Sequence, residues 1–357
     1  MNLNEREERV LAAVIRTYVE TAEPAGSRTV AKRHGLGVSP ATIRNAMSDL
    51  EEKGFLFHPH TSAGRIPTDL AYRYYVDTLM QPIRLPAADQ RRLRKEFLEP
   101  DSTGPLEWII RRATQVLGLI TGELGVAVTP GVEEVILEKL ELALVSTDKM
   151  LLVLTLRNGV VRTVYVDVPM AVPPETLTAV TSILNERLAG RTLTEIRLTL
   201  PERLRDSGNG DAGTTELLNI FVQSADELLQ PMERPAEQLH LGRTSVLANQ
   251  PEFASGLQLK NLIELTEQRD LLSDVITGRE HDQMTKITIG AEHKHPRLVP
   301  FTLVTSEYRL GNLTGVIGVI GPTRMPYEKV AAIVQYTSLL MTELAAPSRG
   351  AAPESNV

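Results

Sequence analysis

The chain has 357 residues, 42% hydrophobic and 23% charged, with no cysteine and a formal net charge of −7. That length predicts two or three domains, and the composition excludes collagenous and intrinsically disordered classes. The missing thiols exclude disulfides, thiolate zinc sites, chain-held iron–sulfur clusters and a cysteine nucleophile. A charged N-terminus and the lack of any run of ~18 apolar residues disfavour secretion and membrane insertion and point to a cytoplasmic protein.

In chain order, Asn4 and Glu7 have capping-box spacing, and Leu11, Val14, Ile15, Tyr18 and Val19 recur on one helical face. A first helix is therefore predicted from Asn4 to Glu20. Pro24 and Gly26 break it, Ser27 is the predicted cap of a short second helix through His34, and Gly35-Leu36-Gly37 ends that. Ser39-Pro40 predicts an N-cap with proline at the first helical position, and Gly54 a C-terminal stop. At 100° per residue this third helix buries Ile43, Ala46, Met47 and Leu50. Its opposite face carries Ala41, Asn45 and Ser48, flanked by Thr42 and Arg44, groups suited to close approach to base edges. Asp49, Glu51 and Glu52 would be repelled by phosphate, so only the N-terminal half can face DNA. Phe55 to Pro67 reads as a hairpin wing, and Thr68 caps a fourth helix whose aromatics pack on the first.

The charge is uneven. Residues 1–80 carry ten Lys/Arg and ten Asp/Glu, so the remainder holds the whole net −7. Between Ser27 and Met47 stand Arg28, Lys32, Arg33 and Arg44 with no acid. A small cationic surface on an acidic molecule is a phosphate-binding footprint, while a chance gap among the acids is the plainer reading of charge alone.

Gln81 to Pro105 reads as a connecting segment with a basic run at Arg91, Arg92, Arg94 and Lys95. Strands are predicted at 140–145, 150–156 and 160–168, the last two joined by the hairpin pair Asn158-Gly159. A helix follows over Pro173 to Leu188, then a breaker-rich loop from Arg203 to Gly213, then mostly helical periodicity to Arg279. Strands resume at 287–289, 301–305 and 313–320, before a last helix burying Val330, Ile333, Val334, Leu340, Met341 and Leu344. Strands on both sides of a helical block predict one antiparallel α+β sheet with an inserted subdomain.

Catalytic and metal chemistry finds no support in the residues. The glycine-rich run Gly311 to Pro322 lacks the Gly-Lys-Ser/Thr ending of a phosphate loop and reads as strand glycines. His58 and His60 lack a third ligand nearby, and Glu292, His293 and His295 form a loop better read as structural than as a metal site. No nucleophile elbow or catalytic carboxylate pair is present, so neither an enzyme nor a cofactor is expected.

Long motifs carry a resemblance. Glu20 to Thr29, Ser39-Pro40-Ala41-Thr42-Ile43-Arg44-Asn45, Pro59 to Thr68, Tyr72 to Asp77, Asn249 to Phe253 and Gly318 to Met325 together resemble the heat-inducible transcription repressor HrcA family over nearly the whole chain. The chain departs from that family's usual pattern at Pro40, where serine is commoner, and in the loop from Asp206 to Gly213. The resemblance implies a bacterial repressor of chaperone genes with a winged helix-turn-helix, a GAF-like domain and a dimerising segment inserted into it. It further implies an inverted-repeat operator, the CIRCE element, and the GroE chaperonin as the partner that keeps the repressor active.

The expected organisation is a winged helix-turn-helix over 1–80, a linker over 81–105, and a GAF-like domain over 106–205 and 282–346. An inserted dimerisation segment over 206–281 and a disordered tail over 347–357 complete it. Ala41, Thr42, Arg44 and Asn45 are expected at the major groove, with Asn45 toward adenine and Arg44 toward guanine or phosphate. Ser27, Arg28, Thr29 and Ser62 are expected along the backbone, Arg65 at a phosphate or in the minor groove, and Ser39 and His60 as further DNA-binding residues. Two other functions remain open at this level: a metabolite sensor built on the GAF-like domain, and an interaction protein using the apolar surface of the insert.

Overall fold

The N-terminal helices form where caps and apolar spacing place them. In a computed structural model of the chain, residues 3–60, 63–97, 106–129, 135–157, 161–169, 171–205, 212–224, 238–248, 250–278, 284–310 and 313–345 are described. Helices α1 (Glu5–Thr21), α2 (Ser27–His34) and α3 (Pro40–Glu52) are followed by strands β1 (Leu56–Phe57) and β2 (Ile66–Pro67) and by α4 (Asp69–Tyr74). The last of these continues into a π-helical turn, Tyr75–Leu79. Helix α5 (Ala87–Phe97) lies within the expected linker. It buries Leu93 and Phe97 and leaves the basic run in solvent.

The chain divides into two compact units, one of Met1–Thr129, Pro235–Tyr308 and Gly315–Val357, the other of Pro130–Arg234 and Arg309–Thr314. Beyond the N-terminal helices, the first unit holds α6 (Leu106–Thr121) and β3 (Leu124–Val128). In the second lie β4 (Leu137–Leu144), β5 (Lys149–Leu156), β6 (Val161–Asp167), α7 (Pro174–Leu188), α8 (Leu193–Leu204) and α9 (Ala212–Gln223). Back in the first unit come β7 (Leu239–Leu241), α10 (Gly256–Glu267), α11 (Arg269–Thr277) and β8 (Thr285–Ile289), and the C-terminal part adds β9 (Phe301–Leu310), β10 (Leu313–Pro322) and α12 (Tyr327–Ala345).

The single sheet expected from the strand pattern is corrected to two. Five strands in the order β7-β3-β10-β9-β8 make one sheet, and β4-β5-β6 make a separate meander. The reason is β3, which the periodicity did not show: all five of its residues are buried, so it lacks the alternation that marks a half-exposed strand. β3 pairs with β10 from Leu124↔Ile320 to Val128↔Val316 and with β7 on its other side, completing the sheet without the meander. Residues 235–281, expected in the insert, therefore belong with the first unit, and residues 135–205, expected in the GAF-like part, with the second. The Asn158-Gly159 turn, most of the loop from Asp206 to Gly213 and the tail after Pro347 lie outside the described residues.

One face of the larger sheet packs side chains of its central strands, Val126, Val316 and Ile320 among them, against Leu262, Leu265 and Leu272 of α10 and α11. Burying each such side chain stabilises by ~1.5–3 kcal/mol. Helix α6 crosses β3 so closely that a Cβ at Gly125 would lie 2.0 Å from the Thr114 carbonyl oxygen. The glycine-rich run near residue 315 is strand β10, as its spacing predicts. In the second unit, Asn185 of α7 accepts from the Leu140 amide at 2.8 Å and donates to its carbonyl at 2.7 Å, satisfying the outer edge of β4. No helix among the described residues is long and apolar enough to cross a membrane.

Glu123, between α6 and β3, is buried at 3% exposure. Burial pushes its carboxyl up to about 8, with Gln250 donating to it at 3.0 Å. The folded state thus holds a proton that the unfolded chain releases near pH 4.5, so stability falls as pH rises from about 4.5 to about 8. Glu123→Gln is expected to flatten this decline and to raise stability most at the alkaline end, as read by urea unfolding at several pH values.

Candidate nucleic-acid interface

The candidate interface is assembled on α3, and its N-terminus is set by chemistry the sequence displays. Ser39 Oγ accepts from the Thr42 amide at 3.2 Å and sits 2.9 Å from the Thr42 hydroxyl, with Pro40 at the first helical position. Ile43, Ala46, Met47 and Leu50 are buried beneath, while Ala41, Arg44 and Asn45 are exposed and Thr42 is half-buried. Ser39 and Thr42 engage their hydroxyls largely with each other, which leaves Ala41, Arg44 and Asn45 as the free outer surface.

The C-terminal end of α3 is tied to α1. Lys53, its cap residue, places Nζ 2.7 and 2.8 Å from the two carboxylate oxygens of Glu7. Glu7 also closes the capping box of α1 with Asn4. The Lys53 hydrogen bond, then the Asn4 amide, hold the Glu7 carboxyl below the usual range.

Helix α2 begins one residue earlier than expected, at the predicted cap itself. Gly26 occupies the N-cap with no side-chain bond, and Ser27 is the first helical residue. Ser27 and Arg28 stand at the α2 N-terminus beside Thr29, with Arg28 and Thr29 exposed. Arg28, Lys32 and Arg44 form no ion pair among the described residues, whereas Arg33 pairs with Glu20 at 2.8 Å.

The hairpin pairs Leu56↔Pro67 and Phe57↔Ile66. His60 is exposed at its tip, and Ser62 lies outside the described residues. Arg65 lies back on α3: its Nη2 is 2.8 Å from Glu51 Oε2, and its side chain is 14% exposed. His58 Nδ1 lies 2.6 Å from the other oxygen of Glu51.

Of the aromatics predicted to pack on the first helix, Tyr72 and Tyr75, Tyr75 does so, and Tyr74 joins it. The Tyr74 hydroxyl donates to Glu8 at 2.7 Å, and Arg16 donates to the Tyr75 hydroxyl at 3.3 Å. Tyr72 turns away to meet the ring of Tyr327 at 5.6 Å.

A polar seam that local spacing could not show joins these helices to the larger sheet. Arg73 donates to both oxygens of Glu292, at 2.5 and 2.6 Å, and to the Ile287 carbonyl at 2.6 Å. Asp69 accepts from the Ala291 amide at 2.9 Å, and a Cβ on Gly290 would lie 2.0 Å from its carboxylate oxygen. Arg324 donates to the Val19 carbonyl at 2.8 Å and pairs with Glu252, and Tyr75 donates to Glu328. Glu292, weighed above as part of a metal loop, is occupied by Arg73 and by the Ile289 amide. The nearby His293 is buried, and desolvation lowers its imidazole pKa.

Comparison with known proteins bears on this arrangement. The family model for the HrcA protein C terminal domain matches residues 107–331. The chain belongs to the HrcA family. A relative named heat-inducible transcription repressor HrcA from Chlorobium phaeovibrioides is 35% identical over 351 residues, covering 95% of this chain and 97% of that one. One from Pelotomaculum thermopropionicum, of the same name, is 34% identical and covers 96% and 97%. The crystal structure of a hypothetical protein shares the fold at a TM-score of 0.59 and 22% identity, covering 96% of this chain and 99% of its own. The HrcA-family relatives thus span the N-terminal helices as well as the two-unit remainder.

Arg73→Ala removes a bidentate, charge-assisted pair and strands a partly buried carboxylate. It is expected to destabilise the first unit by ~1–3 kcal/mol, measured by urea unfolding, with a smaller loss at high salt.

Proposed function

We propose that the protein is a repressor of heat-shock chaperone genes that binds an inverted-repeat CIRCE operator as a dimer and is kept active by the GroE chaperonin. In this reading α1 to α4 and the β1–β2 hairpin act as a winged helix-turn-helix, and the five-stranded sheet unit is the GAF-like domain. The observation that carries it is the outer surface of α3: Ala41, Arg44 and Asn45 exposed on the N-terminal half of a helix whose opposite face is fully buried. Such a helix enters a major groove end-on, with Asn45 toward adenine and Arg44 toward guanine or phosphate. Ser27, Arg28 and Thr29 on α2, with Ser39, His60 and Ser62, would lie along the sugar-phosphate backbone.

Dimerisation is supported by the meander of the second unit. Ala143, Leu151 and Tyr165 stand side by side across its three strands, and Tyr165 is 66% and Val161 58% exposed. This face mixes apolar groups with the Lys139–Glu141 and Lys149–Asp167 pairs, a composition that suits a second copy of the chain, and a two-fold dimer matches an inverted repeat. This face is proposed as a contact alongside the segment expected to dimerise, residues 206–281. The chaperonin rests on the family resemblance alone.

Fluorescence anisotropy of a labelled CIRCE duplex against a scrambled one, across salt and with and without chaperonin, tests the reading. The operator is expected to bind tightly, less so as salt rises, and more tightly with chaperonin; equal weak binding to both duplexes rejects it. Arg44→Ala is expected to cost ~1–3 kcal/mol on the operator if it reads a base, whereas a phosphate role weakens both duplexes alike. Tyr165→Asp is expected to give monomers in light scattering, and a wild-type monomer at micromolar concentration rejects the dimer.

A further inference from the structure

Glu51 sits one residue from the end of α3, where a bare carboxylate would repel a DNA backbone. It is not bare. His58, just after β1, and Arg65, just before β2, each take one of its oxygens, at 2.6 and 2.8 Å. Both sides of the hairpin are thereby drawn onto a single carboxylate of the helix.

The β2 arm is also held on its loop side. Arg65 donates its amide to the Ala25 carbonyl at 2.9 Å and accepts from the Ala25 amide at 2.8 Å. A Cβ at Gly64 would lie 2.4 Å from the Ala25 carbonyl carbon, so the chain passes here only as glycine. A hairpin with two residue pairs has little stability of its own, so its direction must come from outside it. The Ala25 bridge pins the backbone of the β2 arm on its loop side, and Glu51 ties the side chains of both arms to α3. Arg65 has its Nε buried with no partner, an arrangement unsuited to a side chain that extends to phosphate.

We infer that Glu51 is a positioning residue that sets the wing against the recognition helix, and that Arg65 serves this bracket instead of contacting DNA. The inference rests on the DNA-binding reading for its consequence, which is that the hairpin tip meets DNA in register with Arg44 and Asn45. It also predicts a sign opposite to simple electrostatics. Deleting an acid beside a polyanion should by itself tighten binding to any sequence. Loss of a positioning acid should weaken the operator and spare random DNA.

The test uses Glu51→Ala, Arg65→Ala and the double variant in the full-length protein, each checked by thermal melting. Both single variants are expected to lose about ten-fold or more on the operator, with no loss on the scrambled duplex, and the double variant to lose no more than either. Tighter binding of Glu51→Ala to both duplexes, or equal loss on both by Arg65→Ala with a shallower salt slope, overturns the inference. Hydrogen exchange without DNA separates this from the function itself. The amides of Phe57, Arg65 and Ile66 should exchange faster in Glu51→Ala while those of α3 keep their protection, and unchanged hairpin exchange overturns the bracket whether or not the wild type binds the operator.

Discussion

Three carboxylates of the N-terminal helices are each held by side chains of the same helices and hairpin. Glu7 is taken by Lys53, Glu20 by Arg33, and Glu51 by Arg65 and His58. Of these only the Arg33–Glu20 pair is exposed on both sides, and such a pair adds at most ~1 kcal/mol. The effect of the pairs is on the field. With those acids engaged, Arg28, Lys32 and Arg44 stand on α2 and α3 without a carboxylate partner among the described residues. A chain of net charge −7 can in this way offer one locally cationic face.

The same pairing of charge joins the helices to the larger sheet. Arg73, Asp69, Arg324 and Tyr75 all take part in bonds that link the N-terminal helices to groups in the C-terminal third, and the rings of Tyr72 and Tyr327 meet beside them. A seam made largely of charge-assisted hydrogen bonds is directional: it fixes an orientation through geometry, where an apolar patch would allow sliding. It also responds to salt, which a hydrophobic seam does not. Glu123 lies in the same region, and its neighbours Gln250, Glu252 and Arg324 are the groups that its ionisation would disturb.

The helices α1, α3 and α4 were legible because their signals are local. Asn4 with Glu7, Ser39 with Pro40, and Thr68 act within one turn, and the buried stripe of α3 follows from angular spacing alone. The cap of α2 moved by one residue because Gly26 reaches the required extended backbone and leaves Ser27 to enter the helix. The exposed residues of the candidate site were legible for the same reason, apart from Arg65. Its partner lies fourteen residues away on another element, and nothing at positions near 65 announces it. Arg73 and Arg324 stood inside the family-like motifs without any indication of what they bind, since their partners are more than seventy residues distant.

By itself the sequence determined the order and ends of the N-terminal helices, the hairpin, the outward face of α3 and the family, because caps, turn residues and helical periodicity act over a few residues. Only the tertiary structure decided that the strands form two sheets and that Glu51 gathers His58 and Arg65. It alone also decided that Arg73 and Arg324 hold the helices to the sheet. The reason lies in the interactions themselves. A fully buried strand such as β3 has no polar face to give it a pattern, and an ion pair between distant residues leaves no mark on the spacing of either partner.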